Sequence, residues 1–305
     1  MVNKSNKTGN INGKKPIMGT KYFLDVLSKN IFKGCALVAV ISLIIIIGFV
    51  FYKGLTPFVS KGYSFREFIF GTEWVPSANK FGILPMIIAS IYGTLGSLVV
   101  GVPIGILTAV FIVEIAPKPI SKIMSQGVEL LAGIPSVLFG IFALGIIVPT
   151  IQHKLNLPKG QGLLAIIIVL SVMMLPTIIS VAETAIKSVP KHYKEASLAL
   201  GASQIETIFK VTLPAAKSGI LTAVVLGMGR AIGETMAVIL VAGNSPIIPM
   251  SITDGVRPLT TNIALEMGYA FGTHQEMLFA TGVVLFSFIL LLNLVLSKIS
   301  EKAGN

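Results

Sequence analysis

Leu163-Leu-Ala-Ile-Ile-Ile-Val-Leu-Ser-Val-Met-Met-Leu-Pro-Thr-Ile-Ile-Ser-Val-Ala182 is a run of twenty residues without a charge. As a helix it would rise about 30 Å, the thickness of a bilayer's hydrocarbon core. It therefore reads as a membrane span, and five further segments read the same way: 34–52, 84–113, 130–151, 219–242 and 277–296. The second is longer than a perpendicular crossing needs, which predicts tilt, and Pro85 suits its first turn. Pro103, Pro135 and Pro176 interrupt spans two, three and four, where kinks are tolerated if neighbouring groups satisfy the freed backbone. Gly101 and Gly105, and again Gly229 and Gly233, form GxxxG pairs that let helices approach closely.

Composition supports the spans. Of 305 residues 53% are hydrophobic and 12% charged, against about 25% charged in an ordinary soluble domain. Mean hydropathy is +0.86. A soluble globular protein and a disordered one are both excluded. The expected fold class is an all-α integral membrane protein with six transmembrane helices.

The net charge of +11 and pI near 9.7 fit either nucleic-acid binding or cytoplasmic loops that retain Lys and Arg. Position decides. Sixteen Lys residues fall on the face that carries residues 1–33, Lys118 and Lys122, the loop between spans four and five, and the C-terminal tail; only seven Lys and Arg fall on the other. The richer face is expected to be cytoplasmic, with both termini inside and the chain multi-pass in the cytoplasmic (inner) membrane of a prokaryote. No RNA- or DNA-binding motif that interleaves aromatics with the Lys residues is found, so no nucleic-acid partner is expected. The Lys-rich leader is long and the apolar block after it too long for a signal-peptide h-region, so segment 34–52 should remain as an anchor. The organisation follows: leader 1–33, anchor 34–52, external interfacial loop 53–83, five-span domain 84–298, tail 299–305. Phe58, Tyr63, Phe65, Phe68, Phe70 and Trp74 in the external loop read as interfacial anchors. Cys35 is the single cysteine, and His153, His192 and His274 lack metal-ligand spacing, so neither an intrachain disulfide nor a metal site is expected.

The most informative motif lies between spans four and five, at 189–214. Pro190 is suited to open a helix, Gly201 to close it, and Ser203 with Glu206 has the spacing of a capping box that starts a second helix ending at Pro214. Tyr193, Ala196 and Leu200 share one stripe of the first helix, a small and partly apolar knob suited to a partner's groove. Inside span five, Arg230 and Glu234 stand four residues apart. Buried charges in a membrane mark pathways or pairs. Either the two neutralise each other on one helical face, or the guanidinium offers an anion a transient site with Glu234 as counter-ion. Glu114, Glu129 and Glu183 fall near cytoplasmic span ends, where a solvated position is the default.

Glu195-Ala196-Ser197, then Gly201, Val211 and Leu213-Pro214, resembles the EAA motif of ABC importer permeases, with Ser for the last Ala and Val for Ile. Trp74-Val-Pro76, Phe81-Gly-Ile-Leu-Pro85, Gly93-Thr-Leu95, Glu129-Leu-Leu-Ala-Gly-Ile-Pro-Ser136, Gly229-Arg-Ala-Ile-Gly-Glu-Thr-Met236 and Leu259-Thr-Thr-Asn-Ile-Ala264 are similar to the PstC type of phosphate importer permease. The resemblance implies an ABC importer transmembrane domain with a cytoplasmic coupling loop. Tyr193, Glu195, Ala196, Leu200, Gly201, Leu213 and Pro214 would couple to the ATPase, and Arg230 and Glu234 would line the path of inorganic phosphate. It implies as partners a PstA-type permease, a PstB-type ATPase dimer and an external PstS-type phosphate-binding protein, besides membrane lipid. No GxxxxGK[ST] occurs, so by that criterion this chain has no nucleotide site; the resemblance implies ATP and Mg on the partner ATPase, with no cofactor or catalytic residue expected on this chain. Two rival readings remain at this stage. One is an ABC permease for sulfate, molybdate or another oxyanion; the other is a polytopic membrane enzyme, against which stands the lack of HExxH and of intramembrane Asp or His.

Overall fold

The computed structural model describes residues 18–304, with side chains from Tyr22 onward apart from 296, 297 and 299–304. Lys4, Lys7, Lys14, Lys15 and Asn305, used above for orientation, lie outside the described residues. Helix α1 (Met18–Ser60) is continuous, but contacts divide the chain after Phe49. The described residues before that point expose their side chains almost throughout, as a lipid-facing helix does. From Val50 onward the chain forms one packed unit.

Ser64 caps α2 (Phe65–Phe70), and the chain then forms a short hairpin in which β1 (Trp74–Val75) pairs antiparallel with β2 (Lys80–Phe81), Trp74 opposite Phe81. α3 (Leu84–Val110) continues through a π turn at Phe111–Ile115. α4 (Lys118–Ala132) precedes α5 (Ser136–Phe142), a second π turn at Ala143–Ile147, and α6 (Val148–Lys154). α7 (Leu163–Lys187) is the central helix. α8 (Lys191–Ala199), α9 (Gln204–Thr207), a third π turn at Ile208–Thr212 and α10 (Leu213–Ala215) make up the loop after it. α11 (Lys217–Gly233), α12 (Met236–Val241), α13 (Leu259–Glu266) and α14 (Thr273–Gly304) complete the chain.

Among the described residues five stretches are long and apolar enough to cross a bilayer, namely Tyr22–Ser60, Leu84–Ile115, Ser136–Lys154, Leu163–Lys187 and Thr273–Val295. α11 joins a sixth only with a neighbour, and it lies at 72° to the preceding Gln204–Ala215. Two expected spans need correction. The third starts at Ser136 and not near residue 130, because Pro135 keeps Ile134 out of the helical region and residues 130–132 finish α4. The fifth is interrupted at Glu234 and Thr235.

The aromatic external segment also differs from the expected interfacial strip. Phe68, Trp74 and Phe81 are buried in a small core with Ile83, Met86, Leu259 and Met277, while Phe65 and Phe70 remain exposed. The Trp74 indole donates to Glu266 Oε2 at 2.8 Å. The N-terminus of α7 is closed by the loop 243–258: Leu163 N–H donates to Asp254 O and Leu164 N–H to Ile252 O, while Gly162 N–H donates to Val241 O. These partners take N–H groups that a helix start leaves free.

α7 packs between α3 and α11, and absent side chains set the approach. A Cβ at Gly105 of α3 would lie 2.7 Å from Ile178 Cγ2, and one at Gly227 of α11 would lie 2.7 Å from Ile178 Cγ1. Ile178 therefore occupies both gaps. Gly101 belongs to the same seam, against Met174. The second GxxxG differs, since a Cβ at Gly229 or Gly233 meets nothing within 4 Å among the described residues. Gly105→Val and Gly227→Val should each lower stability by about 1–3 kcal/mol through overpacking. Gly229→Ala should not lower it, and thermal unfolding of the purified chain in detergent checks the contrast.

Candidate functional site

The loop between α7 and α11 is built by local chemistry. Pro190 stands just before α8 with extended backbone, one position earlier than its expected first-turn place. Gly201 has φ +86°. Its N–H donates to Leu198 O at 3.0 Å and Ala202 N–H donates to Ser197 O at 3.2 Å, the paired bonds of a Schellman cap. The expected capping box is formed: Glu206 N–H donates to Ser203 Oγ, and Ser203 N–H donates to Glu206 Oε2 at 3.0 Å. The second helix passes Pro214, whose missing N–H and crowded ring are taken up by the π turn before it, and ends at Ala215.

The loop is tied to the end of α3. Lys194 pairs with the Glu114 carboxylate, and Gln204 Nε2 donates to Glu114 O at 3.0 Å. Ser197 Oγ and Thr207 Oγ1, 2.9 Å apart, hold the two helices together. Glu114 and Glu183 are thus not solvated: Glu183 is 8% exposed and accepts from Ser125 Oγ and Lys187 Nζ, at 2.9 and 2.6 Å. Glu129 does lie exposed.

The face turned outward carries Tyr193, Glu195, Ala196 and Leu200, all exposed, and Leu200 reaches 90%. Leu198, Ile205 and Phe209 expose apolar groups on the same loop; the stripe analysis missed them because two belong to the second half. Leu213 packs half-buried on the main core and Pro214 is exposed.

Arg230 and Glu234 are close in sequence but do not neutralise each other. α11 ends at Gly233, Glu234 is extended (φ −69°, ψ 127°), and no ion pair links the two among the described residues. Arg230 Nη1 donates to Thr177 Oγ1 of α7 at 3.4 Å. Glu234 Oε1 instead accepts from Ala237 N–H at 3.1 Å, on the first turn of α12. Carbonyls at the break are satisfied by hydroxyls: Thr235 Oγ1 donates to Gly233 O and Thr260 Oγ1 to Glu234 O. Glu234 also lines a gap of about 10 Å³ among Ser90, Thr94 and Thr260, room for roughly one water.

A further ionic cluster went unforeseen. Glu266, 7% exposed, accepts from Arg257 Nη1 at 2.6 Å and from Trp74 Nε1, with His274 Nε2 at 2.8 Å. It ties β1, α13 and the start of α14 together across up to 192 residues of sequence, a distance at which no local pattern warns of it. No group of three or more His, Cys, Asp or Glu suited to a metal occurs among the described residues.

Residues 101–303 match the family model described as binding-protein-dependent transport system inner membrane component. The chain belongs to that family. Among relatives of this permease, a probable ABC transporter permease protein, YqgH, of Bacillus subtilis is 42% identical over 90% of this chain and 91% of its own length. A phosphate transport system permease protein, PstC, of Xylella fastidiosa is 32% identical over 78% and 81%. A solved bacterial ABC transporter that imports the acidic polysaccharide alginate shares the fold with TM-score 0.66 at 17% identity, covering 93% of this chain and all of that one. The MetNI methionine transporter does so with TM-score 0.55 at 21%, covering 73% and 95%. The chain is thus an ABC importer permease related to PstC proteins, and membership implies an ATPase and a binding protein as partners.

The permease's loop carries a pH dependence. Backbone donation from Ser203, then the Lys210 and Ser203 side chains, hold the Glu206 carboxyl below its usual range. A depressed folded value means that the carboxylate stabilises the cap above the unfolded carboxyl pKa, about 4.3, and that this is lost as pH falls through the folded value. Hydrogen exchange at 204–207 should therefore be protected at neutral pH and quicken, relative to the rest of the chain, below that range. Glu206→Gln should remove the pH dependence while keeping the cap.

Proposed function

We propose that this chain is the permease subunit of an ATP-driven importer of inorganic phosphate, paired with a PstA-type permease, a PstB-type ATPase dimer and an external PstS-type binding protein. The observation that carries the substrate is Arg230, a guanidinium in a span with no carboxylate partner among the described residues. An always-charged fork in a low-dielectric segment favours an oxyanion. The names of PstC relatives support phosphate among the oxyanions. Gly229 and Gly233, with open space where a Cβ would stand, leave the helix face beside Arg230 free for a path or a second permease.

Glu234, which accepts from Ala237 N–H on the first turn of α12, stands beside the break in the same span. The loop with Tyr193, Glu195, Ala196, Leu200, Gly201, Leu213 and Pro214 docks the ATPase on the cytoplasmic side, and both termini lie on that side. ATP and Mg stay on the ATPase. Alternating access then follows from ATPase closure delivered through this loop.

Uptake of labelled phosphate, with sulfate as competitor and membrane abundance measured alongside, tests the reading. Arg230→Gln should cut uptake about tenfold or more, the scale of one charged hydrogen bond, and Arg230→Lys should keep part of it. Adding Glu234→Gln should restore nothing, because a Gln oxygen still accepts from Ala237. Recovery in that double variant would return the pair to a structural salt bridge.

The docking role has its own test. Gly201→Val strains a left-handed position by roughly 1–2 kcal/mol, and Glu195→Lys reverses a charge on the exposed face. Both should lower uptake and ATPase co-purification while the chain still inserts. Normal uptake with normal assembly in both removes the docking role.

A further inference from the structure

α4 and the last turns of α7 line an open cavity of about 610 Å³ at the end of the bundle that carries the Glu195 loop. Lys118, Ser121, Lys122 and Ser125 are spaced as one helical stripe, so the polar face of α4 lines this cavity. Across it, α7 offers the Ser180 hydroxyl and the Glu183–Lys187 pair. That pair is already neutral. Lys118 and Lys122, by contrast, make no ion pair among the described residues, and the hydroxyls of Ser121 and Ser180 make no hydrogen bond there. The remaining carboxylate on the wall, Glu129, lies two turns further along α4 and is exposed.

Two ammonium groups four residues apart repel each other. Among the described residues no carboxylate pairs with either ammonium group, both are exposed, and the free hydroxyls of Ser121 and Ser180 line the same groove. An oxyanion offers acceptors to ammonium and hydroxyl donors alike. The other side of α4 exposes Ile123, Leu130 and Leu131, the stripe of a helix that lies along a membrane surface. We propose that this cavity is a binding site for a phosphate oxyanion, separate from Arg230. The group is carried either by an anionic phospholipid headgroup, with acyl chains along the apolar stripe, or by free inorganic phosphate. The reading is independent of the substrate assignment, since it uses neither Arg230 nor transport.

The test uses the purified full-length chain in neutral detergent, in an Arg230→Gln background so that a pore site contributes nothing. Inorganic phosphate, short-chain phosphatidylglycerol and, as neutral control, short-chain phosphatidylcholine are titrated while the unfolding midpoint is followed. Phosphate or phosphatidylglycerol should raise the midpoint and phosphatidylcholine should not. Lys118→Gln with Lys122→Gln should weaken that binding about tenfold or more, and Lys154→Gln with Lys159→Gln, at the opposite end, should leave it unchanged. A response to phosphatidylglycerol alone assigns a headgroup site; a response to inorganic phosphate assigns a free-anion site. If the Gln pair lowers the midpoint without any probe, Ser121→Asp decides, because it places a carboxylate between the two ammonium groups and should abolish binding. No response to either anionic probe, unchanged binding in the deciding variant, or an equal loss in the Lys154 and Lys159 variant would overturn the proposal.

Discussion

In hydrocarbon no water waits for an unpaired N–H or C=O, so every departure from helix must be satisfied inside the protein. The chain departs from regular helix in several places, and two of them show specific partners. At Glu234 and Thr235 the free carbonyls receive the hydroxyls of Thr235 and Thr260, and the next helix start receives the Glu234 carboxylate. At the start of α7 the loop 243–258 supplies carbonyls to Leu163 and Leu164. Three π turns loosen the helices without breaking them. The span that carries Arg230 breaks where threonines stand ready, which puts the guanidinium in the last turn before an irregular backbone.

Close packing gives that break a firm support. Ile178 of α7 fills the space left by Gly105 on one side and Gly227 on the other, so three helices share one contact. Thr177, the neighbour of Ile178, accepts from Arg230. The same turn of α7 therefore sets the spacing of the bundle and the position of its intramembrane cation. A substitution at Gly227 would disturb both at once. One at Gly229, which faces open space, would leave the seam intact.

Much of this was legible from short-range pattern. Twenty-residue apolar runs located the spans, and Ser203, Glu206 and Gly201 announced the loop's caps from spacing alone, because capping uses neighbours in sequence. The break at Glu234 was hidden, since Gly233-Glu-Thr contains no proline and Arg230 at four residues' distance imitates a helical pair. The hydroxyl that satisfies the freed Glu234 carbonyl, from Thr260, comes from another element. The start of span three was readable in Pro135, whose effect on Ile134 is local, but a hydropathy window averages across it. Glu266 was invisible because its partners, Trp74, Arg257 and His274, lie on three separate segments. The external aromatics were misjudged for the same reason: they found a core contributed by α13 and α14.

The way the loop is fastened bears on how it would transmit force. Lys194 and Gln204 grip Glu114 by its side chain and its carbonyl, one from each helix of the loop. Glu114 lies within the π turn that ends α3, a rare helical form that occurs frequently at functional sites. The Schellman cap at Gly201 and the Ser197–Thr207 contact join the loop's two helices. The exposed Tyr193 to Leu200 face is thereby tied to the end of α3 through Glu114. The seam at Gly105 and Ile178 joins α3 to α7, and Gly227 joins α7 to α11, the helix that carries Arg230.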